Sequence, residues 1–437
     1  MGQPHGSVAG LLTFRGNPTR TFYGTGPAPR APQELWRFTG APDRDLCSPT
    51  SWSGGVTLWC GTGWTGQPAV FEREGRTWVV VGSFAPAVHF LDAATGQRLR
   101  PDFVVGDLIK GSVAIDPDGH PLVYFGSRDD NFRIVAFDRD EPVELWSLNA
   151  YAVSPVRWNN DWDGAPLVLG DYLFQGGENS HLHIVKLNRG YGPDGLVTVD
   201  PELVFNAPGW DDDLLAAVGD GNVSIEAGIT VVGNTLYFAN SGGLVQGWDI
   251  TGLAGGQQPE RVFRYWVGDD VDATVVADAE GYLYVGVEYE RETIRSQELG
   301  QILKLDPGAE DPLVWGTDIR NALPDGVWAT PALTRQMVYV PTNAGFLYGL
   351  RRDTGEVVWS KRMAGPVWAS PVVIGDVLIQ ADCAGVIRGY DISDPGADPP
   401  ELWRVSLNGC VESTAAVWDG VMYVGARGGS FYAIGDR

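Results

Sequence analysis

The chain has 437 residues, 44% of them hydrophobic and 20% charged, and carries 58 Gly, 29 Pro and 17 Trp. Its net charge of −24 excludes nucleic acid and anionic membrane as natural partners, because their phosphates would be repelled. No apolar run approaches the roughly 20 residues of a membrane-spanning helix, and the start, MGQPHGSVAG, has neither the basic nor the apolar segment of a signal peptide.

Residues 1–33, with the Pro- and Gly-rich run FRGNPTRTFYGTGPAPRAP, read as an extended N-terminal arm ahead of a single domain over 34–437. Glu34-Leu35-Trp36-Arg37-Phe38 then reads as a lone strand, similar to PELWRV at 400–405. Repeats follow from Gln67, Gly111, Gly164, Ile225, Ala273, Trp328, Trp368 and Ser413. Each holds short strands of alternating or continuous apolar residues, bounded by Gly, Asp or Asn turns. The unit WASPVVIGDVLIQADCAGVIRGYDI, completed by PELW, shows the pattern most cleanly. Four short strands in about 40–50 residues make one propeller blade. The last repeat stops after SFYAIG and lacks a fourth strand. The predicted fold is therefore all-β: an eight-bladed β-propeller of four-stranded antiparallel blades, with the strand at 34–38 joining the last blade to close the ring. A seven-blade count stays open through the fifth repeat and the insertion at 188–202.

Four cysteines without a CxxC suit two disulfides and an extracytoplasmic, oxidising compartment. Cys383 lies in the second-to-third-strand turn of blade 7 and Cys410 in the loop entering blade 8, so both fall on one face. Cys47 and Cys60 share the loop entering blade 1. Crossed pairing stays open, because blades 1 and 8 are neighbours.

The turns LDAATGQRL at 91–99 and RRDTGEVVW at 351–359, each leading into an outer strand, resemble the pyrroloquinoline-quinone-like propeller family over about residues 34–434. Enzymes and scaffolds share that architecture. Asn160-Asp161-Trp162-Asp163-Gly164 is similar to the Asp-x-Trp-Asp segment of quinoprotein alcohol dehydrogenases. The resemblance implies Asp163 as a catalytic base beside a quinone and calcium. The rest of that site departs: the stacking tryptophan position falls near Ser112, a glutamate ligand position falls in Ser83-Phe84-Ala85-Pro86, and the asparagine position falls near Asp129. The enzyme reading gains if another aromatic, such as Trp158 or Trp210, reaches the funnel.

Asn159, Asp161 and Asp163 also match the first half of a calcium loop, although Gly170 stands at the twelfth position where a Glu belongs. With Asp129 they form the candidate metal set. Asp211, Asp212, Asp213 and Asp220 in the loop into blade 4, and Asp269, Asp270 and Asp272 in the loop into blade 5, are predicted on the same face as a further acidic ligand surface. Trp328 and Trp368 precede equivalent strands and read as packing between blades. YERETIRSQELG at 289–300 lengthens a hairpin as a solvated loop or partner-binding arm. The pair His181 and His183 has no third ligand nearby.

The expected function is a non-catalytic extracytoplasmic propeller, a monomer, binding a protein or small molecule on its loop face or central funnel. Ca²⁺ is a candidate cofactor and pyrroloquinoline quinone is not expected. The competing reading is a quinone- and calcium-dependent alcohol dehydrogenase-like oxidoreductase, with Asp163 as base. Similar propellers also serve as outer-membrane assembly lipoproteins, but no lipobox cysteine is visible.

Overall fold

In blade 7 the strands Val372–Ile374, Val377–Ala381, Val386–Asp391 and Glu401–Ser406 pair in sequence order. Gly375 takes a φ of 58°, which lets a two-residue turn join the first two strands. Its outer-strand Trp403 lies so close to the third strand that a Cβ at Gly389 would sit 2.3 Å from the indole. Blade 6 repeats this contact with Gly349 and Trp359. A small residue opposite a large one fixes how the outer strand packs.

A computed structural model describes residues 2–40, 45–52, 55–64, 66–321 and 325–437. These residues form eight four-stranded antiparallel blades, and blade 1 gains a fifth strand from Gly10–Leu11. Blade 8 is completed as expected. Gln33–Phe38 runs antiparallel to Ser430–Gly435, with Phe38 opposite Phe431 and Trp36 opposite Ala433. Closure pairs the edges that the first and last segments would otherwise expose. The core lies between blades: Tyr339, Trp359, Ile379, Ile387 and Val424 belong to one buried cluster spanning blades 6, 7 and 8.

The segment read as an extended arm is folded into one end of the channel. Leu11, Leu12, Thr13, Phe14, Arg15, Gly16 and Asn17 are buried. Its backbone reaches Ile115, Val231, Ala277 and Val417, on the inner strands of blades 2, 4, 5 and 8. Arg20 donates to the carbonyl of Ile229 at 2.5 and 2.9 Å and to Phe14 at 2.8 Å. Arg15 donates to Thr330 and Pro331 at 2.7 and 3.1 Å. Both guanidiniums are fully buried, and burial lowers their pKa values to about 9 for Arg20 and about 10 for Arg15. Among the described residues neither pairs with a carboxylate, so backbone carbonyls supply the compensation.

A belt of hydrogen bonds rings the inner strands. Gln67, Gly228, Thr274, Thr330 and Ser370 each donate a backbone N–H to a hydroxyl on the next blade: Ser112, Thr274, Thr330, Ser370 and Thr414. The belt fixes neighbouring blades just below the residues that line the channel mouth.

Candidate functional site: the channel mouth

Lys110, Asp163, Glu226, Asp272, Trp328, Trp368 and Glu412 each stand four residues ahead of an inner strand. Those strands begin at Ala114, Leu167, Thr230, Val276, Ala332, Val372 and Ala416. The repeat therefore places one such side chain from each of blades 2 to 8 at the same register. Asp163, Glu226, Asp272, Trp328 and Trp368, with Trp64 from the loop into blade 1, line a single cavity. Trp328 and Trp368 stack with centroids 5.4 Å apart at 18°, and Trp64 lies 5.4 and 5.9 Å from them. The indole of Trp368 donates to Asn343 at 2.6 Å, which fixes its edge. The cavity thus has an aromatic wall from blades 1, 6 and 7 and a carboxylate wall from blades 3, 4 and 5. Trp328 and Trp368 pack against each other across blades 6 and 7, as expected, and in addition they line the channel half-buried. Trp158 is 60% exposed and Trp210 packs on His181 and Arg157, so neither lines the cavity.

Two acidic centres lie in the carboxylate wall. In the first, the Lys110 ammonium contacts Asp163 at 2.5 Å and Asp161 and Glu178 at 3.1 Å each. Arg128 adds a second cation, 3.0 Å from Asp161. Burial alone would lower the Lys110 pKa, but Asp163, Glu178 and Asp161 outweigh it and hold it well above its ordinary value. Burial raises the Asp163 pKa well above the carboxylate range, and Lys110 opposes this only in part. Asn159 donates to Glu178 at 2.7 Å. Asp129 lies elsewhere, held by Arg133 at 2.6 Å and by the Gly106 N–H at 2.8 Å. Of the four residues expected to hold a metal, the fold brings Asp161 and Asp163 together, places Asn159 on their neighbour Glu178, and leaves Asp129 apart. The position now held by the Lys110 nitrogen is where an ion between those carboxylates would sit.

The second centre comprises Asp270, Asp272 and Glu288, whose ligand oxygens lie within 4.8 Å of one another. Asp270 is 5% exposed and Glu288 1% exposed. Asp270 Oδ1, Asp272 Oδ1 and Glu288 Oε1 are buried and lack a hydrogen-bond partner among the described residues. The nearest cation paired with the set is Arg291, 3.6 Å from Asp270. Burial first, and then neighbouring carboxylates, raise all three well above the usual carboxylate range. Glu226 is raised the same way, with Asp272 the largest charge contribution. Rigid backbone places these groups. Glu288–Tyr289 pairs with Asp325–Gly326, and a Cβ at Gly326, whose φ is 123°, would sit 2.6 Å from the Glu288 Cα.

The remaining predicted carboxylates do not converge. Asp211 caps the helix Asp212–Val218 and pairs with Arg261 and Arg264 at 2.9 and 2.7 Å. Asp212 and Asp213 are exposed in its first turn. Asp220 pairs with Arg291 at 3.1 Å. Asp269 accepts backbone N–H groups from Glu290, Arg291 and Glu292, so it shapes the loop that follows blade 5's second strand. That 289–300 insertion ends in the helix Ile294–Leu299. Its Arg291 reaches back to Asp220 and the carbonyl of Asn222, which ties the insertion to blade 4. His181 bonds Pro155 and Asn206, while burial and then His181 lower the His183 pKa to about 3. Cys47 is bonded to Cys60 and Cys383 to Cys410, without crossed pairing.

Sequence reasoning missed Lys110, Glu178, Glu226 and Glu288. Two registers would have found them. Lys110 and Glu226 share the position four ahead of an inner strand. Arg128, Glu178 and Glu288 each lie two residues past the Gly that ends a second strand, at Gly126, Gly176 and Gly286.

Residues 298–398 match the protein family described as outer membrane protein assembly factor BamB. The repeat is of the pyrroloquinoline-quinone-like type. Among solved structures, this propeller is similar to a europium-containing methanol dehydrogenase, with a TM-score of 0.65 and 13% identity over 98% of both chains. A quinohemoprotein alcohol dehydrogenase from Comamonas testosteroni gives a TM-score of 0.59 and 14% identity, covering 98% of this chain and 80% of that one. The computationally designed protein Ika8 gives 0.60 and 14%, covering 86% and 96%. No curated protein matches in sequence. At such identities these likenesses show a fold that enzymes and a designed protein share, and the side chains of the site must carry any functional reading.

Proposed function

We propose that this chain is a non-catalytic binding propeller whose channel mouth is the ligand site, stiffened by a calcium-class cation at Asp270, Asp272 and Glu288. The observation that carries the reading is the unpartnered carboxylate oxygens of that centre. Three carboxylates with buried, unpartnered oxygens, and with Arg291 at 3.6 Å from Asp270 as the nearest cation, are costly unless protons or a further cation compensate. An all-oxygen donor set of Asp and Glu suits a hard cation such as Ca²⁺, which takes six to eight oxygens at about 2.3–2.6 Å. It lacks the nitrogen and sulfur donors that zinc favours. This moves the expected metal from the Asp161–Asp163 loop, where Lys110 already supplies the positive charge. The disulfides support an extracytoplasmic setting, which is oxidising, and no described helix is long and apolar enough to cross a membrane.

A quinone cofactor fits this cavity poorly. The tryptophan wall would stack on a flat ring, but a quinone tricarboxylate would also meet Asp163, Glu226 and Asp272. Each like-charge pair at about 5 Å costs about 3 kcal/mol at an effective dielectric near 20. At the expected stacking position, the Ser112 hydroxyl accepts the Gln67 N–H in the interblade belt, and Asp129 is engaged by Arg133.

The test is terbium luminescence of metal-stripped protein, sensitised by the neighbouring tryptophans, with Ca²⁺ as competitor. Saturable terbium binding displaced by Ca²⁺ and abolished by Glu288→Gln is expected. Binding that survives Glu288→Gln but disappears in Asp161→Asn would overturn the assignment.

A further inference from the structure

We infer that the face opposite the channel mouth carries a pocket for a small dianionic oxyanion, held by Lys304 of blade 5 and by Arg335 and Arg351 of blade 6. The inference is independent of the cation centre and of the channel mouth. Three observations carry it. First, there is room. Glu280 and Arg335 lie in the turns that join the first and second strands of blades 5 and 6. That is the opposite end of each blade from the loops that carry the channel-mouth residues. Between these turns the two blades leave an open cavity of about 330 Å³. Arg335 and Gln336 also line an adjoining cavity of about 290 Å³, which runs to Gly375 and Asp376 of blade 7. An organic body attached to the anion has space there.

Second, the pocket reverses the sign of the chain. The protein has 55 acidic and 31 basic residues. Yet four cations, Lys304, Arg335, Arg351 and Arg352, line this cavity against two carboxylates, Glu280 and Asp353. Arg352 is committed to the fold: it contacts Glu280 at 2.6 Å and Asp278 at 3.1 Å. It also donates to the carbonyls of Thr334 and Arg335 at 3.2 and 3.3 Å, which pins the turn that carries Arg335. Lys304, Arg335 and Arg351 form no ion pair among the described residues, and Asp353 is the one other charge beside them in the lining. Third, Lys304 is a buried ammonium short of counter-charge. It is 8% exposed and lies 4.1 Å over the Tyr282 ring. Its one hydrogen bond among the described residues is long, 3.4 Å to the Arg352 carbonyl. Burial lowers its pKa, and the charges of Asp278, Glu280 and Asp353 do not offset this. An ammonium has three N–H donors, and leaving them unmade under burial is costly. Guanidiniums grip an oxyanion with a fork of parallel N–H donors, and an ammonium adds a point charge. A dianion neutralises the two excess charges of the lining, whereas a monoanion leaves one uncompensated.

The probes are inorganic phosphate, phenyl phosphate and succinate as dianions and acetate as a monoanion. Each is titrated by calorimetry into the metal-stripped full chain at constant ionic strength, at a pH that keeps phosphate doubly charged. The expected result is saturable binding of the dianions and at least about tenfold weaker binding of acetate. The tighter of phosphate and succinate names the group, a phosphoryl or a pair of carboxylates, and a gain for phenyl phosphate shows the adjoining cavity in use. Lys304→Met should weaken the dianions about tenfold, and Arg335→Gln should weaken them severalfold. Arg335 stands on an exposed turn, so its variant keeps the test sharp if Lys304→Met misfolds. Arg404→Gln, exposed on the outer strand of blade 7, removes the same charge and should leave affinity unchanged. No saturable dianion binding, acetate binding as tight as phosphate, or affinity unchanged in both pocket variants would overturn the inference. Terbium binding at Glu288 should be the same in wild type and Lys304→Met, so the anion pocket and the cation centre stand or fall separately.

Discussion

Glu288 donates its backbone N–H to the carbonyl of Asp270 at 2.8 Å, so the two acids of blade 5 are held together by the main chain and not by their side chains. A repulsive pair can persist on such a frame, because the strand ladder at Asp325–Gly326 sets its geometry. The frame exists before any ion binds, which is what a preorganised cation site requires.

The pH dependence of stability follows from these raised carboxyl pKa values. A carboxyl raised on folding binds more protons in the folded state than in the unfolded state. Its favourable contribution is therefore complete below the ordinary carboxylate pKa and is lost as pH rises through the folded value. Metal-stripped protein should lose thermal stability as pH rises above the ordinary carboxylate range. Saturating Ca²⁺ should flatten that slope, and Glu288→Gln should flatten it without metal. Thermal midpoints by circular dichroism as pH rises check all three.

Among the described residues Lys110 is the sole amine in the first acidic centre. Lys110→Met would leave Asp161, Asp163 and Glu178 with Arg128 as their only compensating cation among the described residues. A loss of about 3–5 kcal/mol is expected from breaking a buried ion pair on one side, with part recovered on adding Ca²⁺. Urea unfolding with and without Ca²⁺ measures both numbers. A neutral effect would mean that protons already satisfy those carboxylates.

Gly326 should tolerate no side chain. Its φ of 123° and the 2.6 Å approach of a would-be Cβ to the Glu288 backbone act on the same strand pair. Gly326→Ala is expected to cost about 1–3 kcal/mol and to weaken terbium binding by displacing Glu288, whereas Gly375→Ala in a surface turn should leave terbium affinity unchanged.

The folded N-terminal segment makes its own prediction. Arg20 satisfies carbonyls on its own segment and on Ile229 of blade 4. Arg20→Ala removes several charge-assisted hydrogen bonds and leaves their acceptors buried, so a loss of roughly 2–4 kcal/mol is expected in chemical unfolding.

The blades were legible because their signals are local. Alternating apolar residues, Gly-Asp turns and a spare ELWRF strand each act within a few residues, and Gln33–Phe38 does close blade 8. The segment before it was harder to read, because its partners are the inner strands of distant blades, with Arg15 bonding residues 315 and 316 positions away. The site was half legible for the same reason. Asp163, Asp270 and Asp272 stand out as loop acids, but nothing near Asp272 in sequence announces Glu288. Asp211 and Asp269 stand out equally and prove to cap a helix and shape a loop. What separates the groups is register against the inner strands, which becomes readable only when the blades are aligned with one another.

The most direct measurement is calorimetric titration of Ca²⁺ into metal-stripped wild type, Glu288→Gln and Asp161→Asn. The account predicts one saturable site in wild type and Asp161→Asn and none in Glu288→Gln. Absence of heat in the wild type, or a site that survives in Glu288→Gln, would contradict it.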